Sequence, residues 1–248
     1  MILTVAFGKG GTGKTSTAAA LANLARMHGR RVLCIDADPQ ANFTYTLGGN
    51  PSAPGLYSVL TGQTQAAQVI QHTPQADVIP AGRDLSAAEI MLANMPGREY
   101  VLKEAIATLR SAYDLIVIDT QPALNMLQYN ALTASDSVLL PMQANSFAIM
   151  GLYQMQMTIE MIQKRTNPAL TVNGILLVKY KPRQTLAGDL RDSIEQQAQR
   201  MNTKVYDTFI RESVAVEQAQ AMRQSLFEYS PRCNAAADYK ALYEEIGL

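Results

Sequence analysis

The sequence predicts an α/β fold: a doubly wound, mostly parallel sheet with helices on both faces. Three observations predict it. Short apolar runs at residues 2–7, 31–36, 76–80, 114–119, 137–140 and 172–178 are separated by stretches of helical periodicity, the alternation that parallel strands need for their crossovers. Two of these runs end in acids, RVLCID leading to Asp36 and Asp38 and LIVI leading to Asp119, at the edge where open α/β sheets bind ligands. Between the first run and the first helix lies Lys9-Gly10-Gly11-Thr12-Gly13-Lys14-Thr15, so the order there is strand, glycine loop, helix.

That loop reads as a phosphate cradle. Glycines at 10, 11 and 13 remove the Cβ atoms that would keep successive backbone N–H groups from converging on an anion. The helix beginning near Lys14 aims its positive dipole end at the same point. Lys14 adds a point charge for the β/γ phosphates, Thr15 a hydroxyl where such a loop ligates Mg²⁺, and Ser16 continues the helix. Gly8-x4-Gly13-Lys14-Thr15 satisfies the general P-loop spacing. Lys9 is too early to be the phosphate lysine, yet its loop faces the same anion.

Composition works by exclusion. A chain of 248 residues, 48% apolar, buries a full core as one domain spanning 1–248. Formal net charge is zero, so affinity for nucleic acid must come from a local patch. Cys34 lies in an apolar run and Cys233 in a distant turn-rich segment, which leaves no spacing for a metal site or a disulfide framework. No apolar stretch reaches the length of a membrane span and the N-terminal run is a strand, so a cytoplasmic protein is expected.

The remaining elements follow in order. Residues 48–54 (GGNPSAP) read as a loop, 55–62 and 66–71 as short helices, 76–80 as a strand, and 85–93 and 99–109 as helices. Asp114-Leu-Ile-Val-Ile-Asp119 is a buried strand ending in a carboxylate that can accept hydrogen bonds from Mg²⁺-bound water. A strand at 137–140 precedes a long helix on which Leu152, Met155, Ile159 and Ile162 form one apolar face. Met150, Tyr153, Met157 and Met161 form a second, nearly opposite face. Two faces need two partners, and methionine suits exchangeable contacts. The strand at 172–178 opens onto Lys179-Tyr180-Lys181-Pro182-Arg183, three cations in five residues and a candidate phosphate contact. The final helix, 234–246, is too acidic at Glu244 and Glu245 to hold a membrane electrostatically.

The pattern KGGxGKT resembles the deviant Walker A motif of the ParA/MinD superfamily. The likeness runs on through IDADPQAN, which resembles the Walker A′ segment, and DLIVID, which resembles Walker B. It implies a P-loop ATPase that binds ATP and Mg²⁺ and forms an ATP-dependent homodimer, in which Lys9 reaches the partner's nucleotide much as an arginine finger does. By the same resemblance Asp36 and Asp119 face the shell of the metal held by Thr15, and Asp38 orients the attacking water. Lys9, Lys14 and Asp38 are then the catalytic set. The family follows Walker B with two prolines, whereas here Gln121 stands in place of the first. Arg183 falls on a family arginine associated with non-specific DNA binding, and Lys179 and Lys181 flank it. The family's second arginine is replaced by Ala215, and Arg211 substitutes only after a shift. The resemblance further implies a ParB-like centromere-binding partner, plasmid or chromosome partition, and association with the nucleoid when ATP is bound. A positioning ATPase for a non-DNA cargo, or a metabolic P-loop enzyme, is the alternative.

Overall fold

The computed structural model describes residues 1–145, 148–180 and 187–248, with side chains in the last segment from residue 190. The strands are β1 (Ile2–Val5), β2 (Val32–Ala37), β3 (Gln71–His72), β4 (Asp77–Ile79), β5 (Leu115–Thr120), β6 (Ser137–Met142) and β7 (Thr171–Leu177). The helices up to β5 are α1 (Lys14–Met27), α2 (Asn42–Thr46), α3 (Leu56–Leu60), α4 (Leu85–Ala93) and α5 (Val101–Ala105). Those after it are α6 (Met126–Ala134), α7 (Ala148–Arg165), α8 (Ala187–Arg200), α9 (Val214–Ala221), α10 (Leu226–Tyr229) and α11 (Asn234–Ile246).

The strands form one sheet in the order β3-β4-β2-β5-β1-β6-β7. Every pairing is parallel except the short β3–β4 edge. Alternation along the strands feeds both faces. Leu3, Val5, Cys34, Leu115 and Val117 join the cluster under α1 and α11, while Leu33, Ile35, Ile116 and Ile118 join the cluster under α3 to α6. Burial on both faces explains why these strands read as continuous apolar runs. Beyond β1, Val138, Leu140 and Ile175 pack against Leu152, Met155 and Ile159 of α7. The doubly wound expectation is borne out.

This topology makes β2, β5 and β1 neighbours at the centre of the sheet. Register places Val5 beside Asp119 and Asp119 beside Asp36. Two carboxylates and the start of the glycine loop therefore meet at one carboxyl edge.

Two helix expectations change. Residues 66–71 form a 3₁₀ turn at Ala66–Val69 and then enter β3, and the helix read over 99–109 is α5 followed by a 3₁₀ turn at Ala107–Ser111. Leu102, Ile106 and Leu109 still face the core. Only the winding tightens, as helix ends commonly do before delivering a strand. On α7 the face of Leu152, Met155, Ile159 and Ile162 is buried, while Met150, Tyr153 and Met157 are 67%, 55% and 53% exposed and Met161 is half-buried.

Candidate nucleotide and metal site

The glycine loop owes its shape to two left-handed residues, Gly11 at φ 72° and Gly13 at φ 73°, a region that Cβ-bearing residues rarely occupy. Gly13 is the N-cap of α1, without a side-chain cap and with no acid in the first turn. The first N–H groups of the helix thus lack an internal partner. They border a cavity of about 560 Å³ lined by residues 10–16 together with Asp38, Tyr45, Pro122 and Gln220. A Cβ built on Gly8, Gly10 or Gly11 meets nothing within 4 Å, so the chain leaves space on this side of the loop. Helix dipole, amides and room are those of an anion site.

Lys14 is buried, and its Nζ donates to the Lys9 carbonyl at 3.0 Å. Burial pulls its ammonium below the ordinary value, while Asp119 and Asp38 push it back up. Thr12 Oγ1 donates to the same carbonyl at 3.3 Å, which folds the loop over Lys14. Lys9 itself is exposed at the mouth of the loop.

Thr15 Oγ1 donates to Asp119 Oδ2 at 2.6 Å. The other oxygen, Asp119 Oδ1, is buried without a hydrogen-bond partner. Burial first, and then the neighbouring Asp36, hold the Asp119 carboxyl well above the usual range. A buried oxygen left unpartnered is costly, and a hard divalent cation with its waters is the group that would satisfy it. The donor set therefore fits Mg²⁺. No cluster of three or more His, Cys, Asp or Glu side chains that could hold a metal ion occurs among the described residues.

Asp36 is also buried, but both its oxygens are engaged. Oδ2 accepts from Thr44 N and Thr44 Oγ1, each at 2.7 Å, and Oδ1 accepts from Asp38 N at 3.1 Å. Burial raises its carboxyl to about 6 against these bonds. In this geometry Asp36 anchors α2 and the turn carrying Asp38. Asp38 lines the cavity and accepts from Gln40 N at 2.9 Å.

Sequence reasoning missed several side chains that fix the site. Gln143 Nε2 donates to the Gly11 carbonyl at 2.9 Å, and Gln220 Nε2 donates to Ser16 Oγ at 3.1 Å. Thr44, which holds Asp36, was missed too. The glutamines come from distant points of the chain, and a lone amide carries no periodic signal. Beside the loop a second cavity of about 210 Å³ is lined by Gly13, Ser16, Val178, Lys179, Ile210 and Val216 among others.

Of the expected DNA contacts, Lys179 and Arg211 line that same second cavity, and each has an acidic neighbour. Lys179 stands 4.0 Å from Glu212. Arg211 forms a two-pronged bond with Asp238, Nη2 to Oδ1 at 2.6 Å and Nε to Oδ2 at 3.0 Å. Lys181 and Arg183 lie outside the described residues.

Comparison with known proteins follows the same lines. A family described as an AAA domain matches residues 1–172. Over 251 residues the chain is 37% identical to the chromosome partitioning protein ParA of Caulobacter vibrioides, covering 99% of this chain and 93% of that one. The chain belongs to the ParA/Soj family of partition ATPases. The sporulation initiation inhibitor protein Soj of Bacillus subtilis is 36% identical, with 99% of this chain and 97% of Soj covered. Among solved structures, cobyrinic acid a,c-diamide synthase from Mycobacterium smegmatis superposes with a TM-score of 0.83 at 32% identity, covering 98% of this chain and 92% of that one. That protein was solved with ADP and magnesium and with an ATP analogue and magnesium. No described helix is long and apolar enough to cross a membrane.

Proposed function

We propose that this ParA/Soj chain, acting as one domain, binds ATP and Mg²⁺, closes into a homodimer over two nucleotides and moves cargo by partition. The observation that carries the reading is the unpartnered Asp119 Oδ1 beside Thr15, at the foot of an uncapped helix whose loop has room for phosphate. Lys14 leaves the Lys9 carbonyl for the β/γ phosphates, and the amides of residues 10–16 hold the remaining phosphate oxygens. Thr15 and Asp119 hold the cation, with Asp36 behind Asp119 facing the same shell. Mg²⁺, when bound, neutralises charge that builds on the phosphate oxygens. Asp38, fixed by the Asp36 turn, orients the attacking water. Lys9 serves the facing protomer's phosphates, so that charge neutralisation is completed only in the dimer. The apolar walls of the second cavity, Val178, Ile210 and Val216, suit the base.

Turnover is slow until a ParB-like partner completes the site, and the exposed face of Met150, Tyr153 and Met157 is available for the dimer or that partner. Non-specific DNA is held through Lys181 and Arg183, with Lys179 and Arg211 secondary because acids already pair them. The working place is the cytoplasm, on the nucleoid when ATP is bound.

The deciding experiment is light scattering of the Asp38→Ala variant with ATP, ADP and no nucleotide. A stable dimer with ATP alone is expected, and identical masses in all three conditions would overturn the dimer switch. The name of the M. smegmatis neighbour favours a second reading, ATP-dependent amide formation on a small carboxylic acid. ATP turnover driven by such an acid and an ammonia donor, without DNA or protein partner, would carry that reading instead.

A further inference from the structure

The loop leaving β5 connects Asp119 to α6 and carries Pro122, which lines the nucleotide cavity. Its start is fixed where Thr120 Oγ1 donates to the Val5 carbonyl at 3.1 Å. Its end is fixed by Asn125, whose Oδ1 caps α6 by accepting from Gln128 N at 3.1 Å. Between these points Pro122, Ala123 and Leu124 are exposed and contribute little packing of their own.

A third anchor comes from another element. Gln121 Nε2 donates to Glu89 Oε1 at 2.8 Å, and Asn125 Nδ2 donates to the same oxygen. Glu89 projects from α4, which is seated by the buried Leu85, Ala88 and Leu92. One carboxylate on a packed helix thereby ties both ends of the segment that presents Pro122. Gln121 is also the position at which this sequence departs from the double proline it otherwise resembles. Proline restricts a loop through its fixed φ; at position 121 the restriction comes from a charge-assisted hydrogen bond instead.

We propose that Glu89 is a positioning residue of the nucleotide site, acting through Gln121 and Asn125 to hold the Pro122 wall beside the terminal phosphate. The inference rests on the reading of the cavity as an ATP site. Pro122 shares that cavity with Lys14, Thr15 and Asp38, so loosening the wall acts on the end of the ligand that distinguishes ATP from ADP.

The test is fluorescence titration with labelled ADP and a labelled non-hydrolysable ATP analogue, with Mg²⁺, on the full chain. Glu89→Ala removes both bonds to the loop and is expected to weaken the ATP analogue about fivefold, less than the two bonds are worth directly because the wall acts on the ligand at one remove. ADP affinity should stay within about twofold under the same reasoning. Glu89→Gln keeps an acceptor oxygen without the charge and should fall between wild type and Glu89→Ala. Gln121→Leu, at a half-buried loop position, repeats the selective loss if Glu89→Ala fails to fold. Gln121→Pro placed in Glu89→Ala should restore discrimination, since it supplies by ring closure what the carboxylate supplied. Equal loss for both nucleotides, no loss, or failure of the proline to rescue would overturn the proposal. Absence of binding in wild type would overturn the ATP site itself, a distinguishable result.

Discussion

Burial lifts the Asp36 carboxyl to about 6 and holds Asp119 higher than its ordinary range, and the two face each other across β2 and β5. Both bind a proton more tightly folded than unfolded, so their contribution is intact at low pH and is lost as pH climbs from about 4 toward 6 and beyond. For Asp36 the loss is on the order of 2–3 kcal/mol. Asp114, held near 2 by Arg31, works the other way but only below about pH 4, outside this window. The metal-free protein should therefore melt at progressively lower temperature between about pH 4 and 7, and Asp119→Asn should flatten the slope while removing Mg²⁺-dependent turnover. A metal-free melting temperature that rises through this range would refute the account. A second residue in the same turn is under backbone strain. Ala41, the N-cap of α2, sits at φ 55° and ψ 28°, where a Cβ costs roughly 1 kcal/mol. Ala41→Gly should raise stability by no more than about 0.5 kcal/mol in urea melts, because the entropy that glycine adds to the unfolded chain offsets most of the relieved strain.

At the scale of elements, the glycine loop and α1 separate two kinds of glycine. Gly13 has φ 73° and its added Cβ would meet Val178 at 3.7 Å, an ordinary contact, so strain rather than crowding penalises Gly13→Ala. Gly10 has no such φ and open space before its Cβ. Gly10→Ala should leave the melting temperature of the nucleotide-free protein within about 1 °C and still weaken nucleotide binding at least tenfold, because the methyl enters the phosphate's space. Calorimetry with and without ATP separates the two effects; a Gly10→Ala variant that binds normally would remove phosphate from this side of the loop. These glycines were legible because their spacing between an apolar run and a helix has one physical use. So were the strand-end acids, since a buried strand that ends in Asp must place it at the sheet edge. The tethers were not. Gln143, Gln220 and Glu89 reach the site from elements far away in sequence, and nothing local marks an amide or a carboxylate for such a task. Nor was the engagement of Asp36 by Thr44 visible, because it depends on how α2 folds back onto β2.

At the scale of the whole molecule, zero net charge leaves DNA affinity to a few positions and to the number of copies presenting them. Arg211 is held in two-pronged contact by Asp238, whose side chain is 11% exposed. Withdrawing Arg211 for phosphate would strand a partly buried carboxylate, so its contribution belongs to the anchoring of α11. Lys179 is offset by Glu212. In the proposed function Lys181 and Arg183 are then the cations expected to meet phosphate, one pair per protomer. Each phosphate contact releases close to one counterion, so the slope of log affinity against log salt counts contacts. A dimer doubles the count, and removing one cation per protomer should lower the slope by about 2 with ATP bound. Without nucleotide, the single copy should bind too weakly for a slope to be measured. Arg211→Ala should reduce stability and leave the ATP-bound slope unchanged. Retention of the Asp38→Ala dimer on random-sequence DNA, followed from low to moderate salt for Arg183→Ala, Lys181→Ala and Arg211→Ala, reads all three outcomes. Equal slopes for wild type and Arg183→Ala would move the DNA surface elsewhere, whereas a drop for Arg211→Ala would mean that the Asp238 pair opens when two copies meet.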